Sequence, residues 1–206
     1  MCSSSFVYEK NFIGILDFWY EWCELLLKRV LLITGAPGVG KTTVLVKTVD
    51  ALKARGISVG GMISRETRES NARVGFEIFD LIRGKRGWLA HVNQKTGPQV
   101  GRYRVNLEDL ENVGAQAIIE ALEKCNVIAI DEIGPMELHS QKFKQAVTHA
   151  LESKKLVIGV VHARAKDPLI NQAKNREDAE ILTVTLSNRA IFPQSLTNQV
   201  IDTFSK

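Results

Sequence analysis

The chain has 206 residues, 45% hydrophobic and 24% charged, which suits one globular domain with a real core. Its net charge of +4 fits anionic substrates such as nucleotides and is too mild to establish a nucleic-acid partner by itself. The three cysteines, Cys2, Cys23 and Cys125, form no C-x-x-C pair, which argues against a disulfide framework or zinc site and for a reducing cytoplasmic setting.

Residues 1–28 read as an N-terminal extension, either helical or the product of a misassigned start, and residues 29–206 as the main domain. In the extension Phe12, Ile15, Leu16, Trp19, Trp22 and Cys23 share a helical stripe. Asp17, Glu21 and Glu24 interrupt its apolar stretch, so no membrane span is expected. From Arg29 the pattern becomes regular. A strand is predicted over residues 30–34, then a Gly-rich turn, then a helix over 42–55 stopped by Gly56. A second strand over 57–63 is followed by a polar loop and a hairpin, 76–82 with 88–92, around Arg83-Gly84-Lys85. A short strand over 102–105 precedes a helix over 107–123. The apolar strand 127–130 is followed by a helix over 141–153 and a strand over 156–161. Residues 162–178 read as a polar loop with a short helix, before a last strand over 181–186 and a helix over 193–204. This alternation predicts a three-layer α/β sandwich: a mainly parallel sheet, helices on both faces, and a β-hairpin insertion.

The run Gly35-Ala36-Pro37-Gly38-Val39-Gly40-Lys41-Thr42 fits G-x-x-x-x-G-K-[ST]. The glycines permit backbone angles that a β-carbon blocks, so successive N–H groups can point at phosphate oxygens. The helix that follows adds the positive end of its dipole. Lys41 can reach the β- and γ-phosphates, the Thr42 hydroxyl can ligate Mg2+, and Thr43 can contact the α-phosphate.

The strand 127–130 ends in Asp131-Glu132, a Walker B pattern. Asp131 is placed to hold Mg2+ and Glu132 to activate water as a general base. An acceptor other than water would not need that second carboxylate.

At Asp131-Glu132-Ile133-Gly134-Pro135-Met136-Glu137-Leu138 the chain resembles the small P-loop nucleoside-triphosphatase family that includes the cancer-related nucleoside-triphosphatase and its prokaryotic relatives. Other matching pieces are 35–43, Glu66-x-Arg68, Arg73-x-Gly75-Phe76, Gly101-x-Tyr103-x-Val105, Asn175-Arg176 and Asn188-Arg189. The resemblance implies a RecA-like or AAA-like domain that hydrolyses ATP, GTP, CTP and UTP with Mg2+ (EC 3.6.1.15). Residues 1–28 have no counterpart in it.

Further site candidates are Glu66, Arg68 and Arg73 in the polar loop after the second strand, and His162 at the nucleotide edge of the sheet. Arg164, Arg176 and Arg189 are candidates for an arginine finger, and Asn188-Arg189, on resemblance, for the base pocket. Glu137 is a candidate supporting group. Two other readings compete. One is a nucleotide or small-molecule kinase, with residues 162–176 as a cationic lid. The other is a nucleic-acid-associated regulatory ATPase, for which no DNA- or RNA-binding signature appears. The oligomeric state is not readable from the sequence.

Overall fold

The computed structural model describes residues 28–204. The extension, with its expected helical stripe, lies outside the described residues except for Lys28.

β1 (Val30–Gly35) leads through the Gly-rich turn into α1 (Lys41–Lys53). β2 (Val59–Glu69), β3 (Ala72–Asp80) and β4 (Arg86–His91) follow, then the short β5 (Gln99–Val100) and β6 (Tyr103–Val105). The helix α2 runs through three consecutive segments, Leu107–Asp109, a wider π-type turn at Leu110–Ala115, and Gln116–Lys124. β7 (Val127–Ile133), α3 (Gln141–Glu152), β8 (Leu156–Val161), α4 (Pro168–Lys174), β9 (Ala179–Val184) and α5 (Phe192–Phe204) complete the order.

The strands form one nine-stranded sheet in the order β5-β6-β4-β3-β2-β7-β8-β1-β9. β2, β7, β8, β1 and β9 run parallel. β3, β4, β6 and β5 continue the same sheet antiparallel, so the sheet is mixed and the hairpin region forms part of it.

Strand periodicity splits the core into two layers. Val30, Leu32, Ile128, Ile130, Val157 and Val161 face one side, where they pack with Ile118, Phe143 and Ile170 from α2, α3 and α4. Their neighbours Leu31, Ile33, Val127, Ala129, Ile158 and Val160 face the other, against Leu45 and Val49 of α1 and Leu196 and Val200 of α5. Strands buried on both faces explain the unbroken apolar runs in the sequence. The helices supply matching stripes: α3 buries Phe143, Ala146, Val147, Ala150 and Leu151, the i, i+3, i+4, i+7, i+8 pattern.

β2 extends six residues beyond the expected end at 63. Ser70 and Asn71, with φ of 45° and 63°, make a tight two-residue turn into β3. Glu66 and Arg68 therefore lie on a strand and Arg73 on its hairpin partner. The polar loop expected there is a hairpin whose outer half leaves the core, so its side chains need not be apolar. Gly61 lets β2 close on β7: at its φ of 107° a β-carbon would stand 2.1 Å from the Ala129 carbonyl oxygen. That contact seats β2 beside the strand that carries the acidic pair.

Candidate active site

The C-terminal ends of β1, β7 and β8 meet at one edge of the sheet, the usual ligand edge of an open α/β fold. The Gly-rich turn caps β1 there. Gly38 and Gly40 have φ of 72° and 109°, in the left-handed region. Gly40 is the residue before α1, and its carbonyl accepts the Val44 N–H at 2.9 Å. No side chain caps this helix, so its first N–H groups remain available to an anion. Ala36, Pro37 and Gly38 are exposed, whereas Val39 is anchored in the core. The Lys41 ammonium folds back over the turn, 3.4 Å from the Gly35 oxygen and 3.5 Å from the Ala36 oxygen. Thr42 is half-buried and Thr43 is exposed at the start of α1.

Asp131 and Glu132 lie within β7, directly before its last residue, Ile133. Val127 and Ala129 face α1, and alternation puts Asp131 on that same side, toward Thr42. Between Ile130 and Ile133 the register against β8 shifts by one residue. This bulge returns Ile133 to the opposite layer with Ile128 and Ile130, so only the acidic pair departs from the core pattern. Asp131 is 1% exposed. Burial pushes its carboxyl up to about 7, while the Thr42 hydroxyl, the Ser64 N–H and Lys41 pull it down and Glu132 raises it. Asp131 Oδ2 and Glu132 Oε1 are buried and have no protein partner among the described residues. Buried carboxylate oxygens of this kind need a cation or a proton. A hydroxyl and two acids suit a hard cation that prefers oxygen ligands.

Two further residues join the site. Ser64 of β2 turns its N–H to Asp131, a role no sequence signal marks. Glu137 is 4% exposed and folds back against Gly134, where its Oε2 would stand 3.2 Å from an added β-carbon. Burial pushes its carboxyl up to about 8, with Glu132 and Asp131 raising it further against the pull of the Glu137 and Gly134 backbone. Its place in the stretch 131–138 was the available signal.

The remaining candidates separate by position. His162 follows β8 at the ligand edge, half-buried; its N–H bonds the Ile133 oxygen and its Nδ1 accepts the Arg164 N–H at 3.3 Å. Arg189 lies across the Gly-rich turn, with Nη1 3.5 Å from the Val39 oxygen. Glu66 is two residues past Ser64 and is committed to Arg68 at 2.5 Å and to Arg73 in a closer pair. Arg176 stands apart from the others: it forks onto Asp178 at 2.8 and 3.1 Å, just before β9. The Asp178 carbonyl bonds the Val30 N–H at the start of β1, and β1 runs parallel to β9. Arg176 thus sits at the far edge of the sheet, about 17 Å of strand from Gly35, and is taken up by an ion pair.

A phosphate-cradling turn after the first strand of an α/β sheet, facing an acidic pair two strands away, defines the P-loop class of nucleotide-binding proteins. The chain belongs to the family whose profile is described as NTPase, which matches residues 30–197. The nucleoside-triphosphatase THEP1 of Thermofilum pendens is 46% identical over 170 residues, 82% of this chain and 93% of that protein. THEP1 of Methanosarcina acetivorans is also 46% identical over 170 residues, 82% of this chain and 95% of that protein. Among solved structures, THEP1 from Aquifex aeolicus superposes with a TM-score of 0.72 at 29% identity, covering 81% of this chain and 96% of that one. A human cancer-related nucleoside triphosphatase superposes at 0.71 with 34% identity, covering 84% and 97%. Among the described residues no helix is long and apolar enough to cross a membrane.

Proposed function

We propose that residues 29–206 form a Mg2+-dependent nucleoside-triphosphatase that converts ATP, GTP, CTP and UTP to the diphosphate and phosphate. This is the activity class EC 3.6.1.15. The observation that carries the reading is the pair of buried, partnerless carboxylate oxygens on Asp131 and its neighbour Glu132, with Asp131 beside the Thr42 hydroxyl of the P-loop. One acid suffices to hold a metal; the second has a use when water is the acceptor.

In this reading the N–H groups of Gly38, Val39, Gly40 and Lys41 cradle the phosphates, and Thr43 meets the α-phosphate. The Lys41 ammonium leaves the Gly35 and Ala36 carbonyls for the β- and γ-phosphates, a change that costs little because those contacts are long and weak. Asp131 and the Thr42 hydroxyl hold Mg2+, which when bound supplies positive charge to the phosphate oxygens. Glu132 takes a proton from water as the water oxygen bonds to the γ-phosphorus. The bond to the bridging oxygen breaks, and the diphosphate leaves with the negative charge. Lys41 and the loop amides offset charge in the transition state. His162 stands at the γ-phosphate side of the site, and Arg189 lies over the P-loop. Glu66, Arg68 and Arg73, paired with one another, brace the hairpin next to Ser64.

The test is phosphate release from each triphosphate with Mg2+ and no added acceptor. Lys41→Ala is expected to abolish release. Glu132→Gln is expected to bind nucleotide normally and to lose turnover by roughly 10²–10⁴-fold. Wild-type turnover in Glu132→Gln would remove Glu132 as the general base; nucleotide binding without any phosphate release by the wild type would favour the kinase.

A further inference from the structure

The sheet is covered unevenly. On one side α1 packs against β1, β2, β7 and β8, with α5 beside it, and neither helix makes a comparable contact with β3 or β4. On the other side α2 covers β3 and β4. The α1 side of the antiparallel strands is therefore left to their own side chains. Register sets these in rows: Ile63, Phe79 and Arg86 stand abreast across β2, β3 and β4, and Arg65, Glu77 and Trp88 form the next row. The bulge at Leu89 then returns His91 to the same side. There its ring meets Trp88 edge-on at 4.6 Å. Both rings lie over Gly75, where a β-carbon would stand 2.8 Å from His91 Cδ2 and 3.0 Å from Trp88 Cζ3.

The cations of this face are unusual in having nothing to hold. The Arg65 and Arg86 guanidinium carbons lie 4.8 and 5.0 Å from the centre of the Phe79 ring. Both side chains are exposed, and neither has a carboxylate or carbonyl partner among the described residues, in contrast to Arg29, Arg68 and Arg176. Contact with the ring orients each guanidinium and leaves its N–H donors unused. Glu77 is half-buried between them and Trp88, and it too makes no hydrogen bond or ion pair among the described residues, although Arg65 stands opposite it.

We propose that this open face of β2, β3 and β4 binds single-stranded RNA. Aromatic rings beside unpaired guanidiniums form a platform on which bases stack while the backbone phosphates meet fixed positive charge. A duplex hides its base faces, so the platform suits an unpaired strand. Glu77 repels phosphate but accepts a hydroxyl proton, and the ribose 2′-hydroxyl is the donor that DNA lacks. In this arrangement Trp88 and His91 stack on bases, Arg65 and Arg86 hold phosphates, and Glu77 reads the sugar. The residues come from three strands, so no contiguous sequence motif announces them. The proposal rests on the sheet face alone and stands or falls apart from hydrolysis at the P-loop.

The experiment is fluorescence anisotropy of an end-labelled RNA of mixed sequence, about 12 nucleotides long, with the full chain and with DNA of the same sequence as comparison. Salt is varied from about 50 to about 200 mM. The wild type is expected to bind the RNA about fivefold more tightly than the DNA. Arg65→Gln/Arg86→Gln is expected to weaken RNA binding about tenfold and to flatten the slope of log affinity against log salt by about 1.4, the share of two phosphate contacts. Trp88→Ala is expected to weaken binding about tenfold at unchanged slope, since stacking releases no counterions. Glu77→Ala is expected to bring the RNA and DNA affinities together. Melting curves check that each variant folds, and the exposed arginine pair keeps the test open should Trp88→Ala unfold. Absence of wild-type binding at about 50 mM salt overturns the proposal, as does wild-type affinity in the folded arginine variant. Equal wild-type affinity for DNA overturns the assignment to RNA. Displacement of the RNA by saturating Mg2+-ADP also overturns the proposal, because the strand then occupies the P-loop and not the sheet face.

Discussion

A carboxyl that leaves water without a cationic partner resists ionisation, and Glu137 shows the consequence most clearly. Its ordinary value is 4.5, and burial beside Glu132 and Asp131 raises it to about 8 in the folded chain. Between those values the folded chain holds a proton that the unfolded chain has released. The stabilisation is full below the lower value and is lost as pH rises through the upper one. Glu137→Gln keeps the shape and removes the ionisation. The variant should match the wild type in melting temperature near about pH 4.5 and exceed it near about pH 9, as followed by thermal unfolding without added metal. A gap that stays constant across that range would show that Glu137 is not buried neutral. At this scale the P-loop and the acidic pair were legible because their chemistry is local in sequence. Glu137 was legible only in part, since its burial depends on how residues 134–137 turn back. The distance of Arg176 from the P-loop had a signal in the sequence: it precedes a parallel strand, and the ligand edge lies where such strands end.

Element ends were harder to read than element centres, and β2 shows why. The apolar run ends at Ile63, where the covered part of the sheet ends, but the backbone continues to Glu69 because β3 pairs with it. A strand half outside the core has no hydrophobic pattern to announce it, so its outer half reads as loop. The long helix after β6 was legible from its spacing, but the π-type turn at Leu110–Ala115 was not. There Gly114 closes on Met62, with Sδ 3.1 Å from an added β-carbon. Helix starts carry a clearer signature. Ser140 precedes α3 and accepts the Phe143 N–H at 3.1 Å, while its hydroxyl reaches Glu111 of α2 at 3.1 Å. Ser140→Ala is expected to cost about 1 kcal/mol, or about 3 °C in melting temperature for a chain of this size. Ser140→Thr should restore most of it, because the hydroxyl is what caps the helix. A loss of stability in Ser140→Thr equal to that in Ser140→Ala would point to packing instead.

At the scale of the whole molecule, Arg29 ties the start of the first strand to distant parts of the chain. Its guanidinium donates to the Leu151 oxygen at 2.6 Å and the Lys155 oxygen at 3.1 Å, and pairs with Asp178 at 2.5 Å. One side chain thus fastens the entry of β1 to the end of α3, the start of β8 and the start of β9, at the edge of the sheet away from the P-loop. Arg176 holds the other side of Asp178, and the two cations keep that carboxyl below the usual range despite its burial. The family match begins one residue later, at 30. A chain starting at Arg29 is therefore expected to fold and to release phosphate at the rate of the full chain. A chain starting at Val30 loses the clamp and leaves Asp178 short of a partner. It should melt several degrees lower, a shift of the size that about 1–3 kcal/mol produces. Its turnover per folded molecule should be unchanged, because the clamp and the acidic pair stand at opposite edges. Comparing melting curves and phosphate release for the two truncations checks both halves of the argument. Lost turnover in the chain starting at Arg29 would place part of the working machinery within residues 1–28.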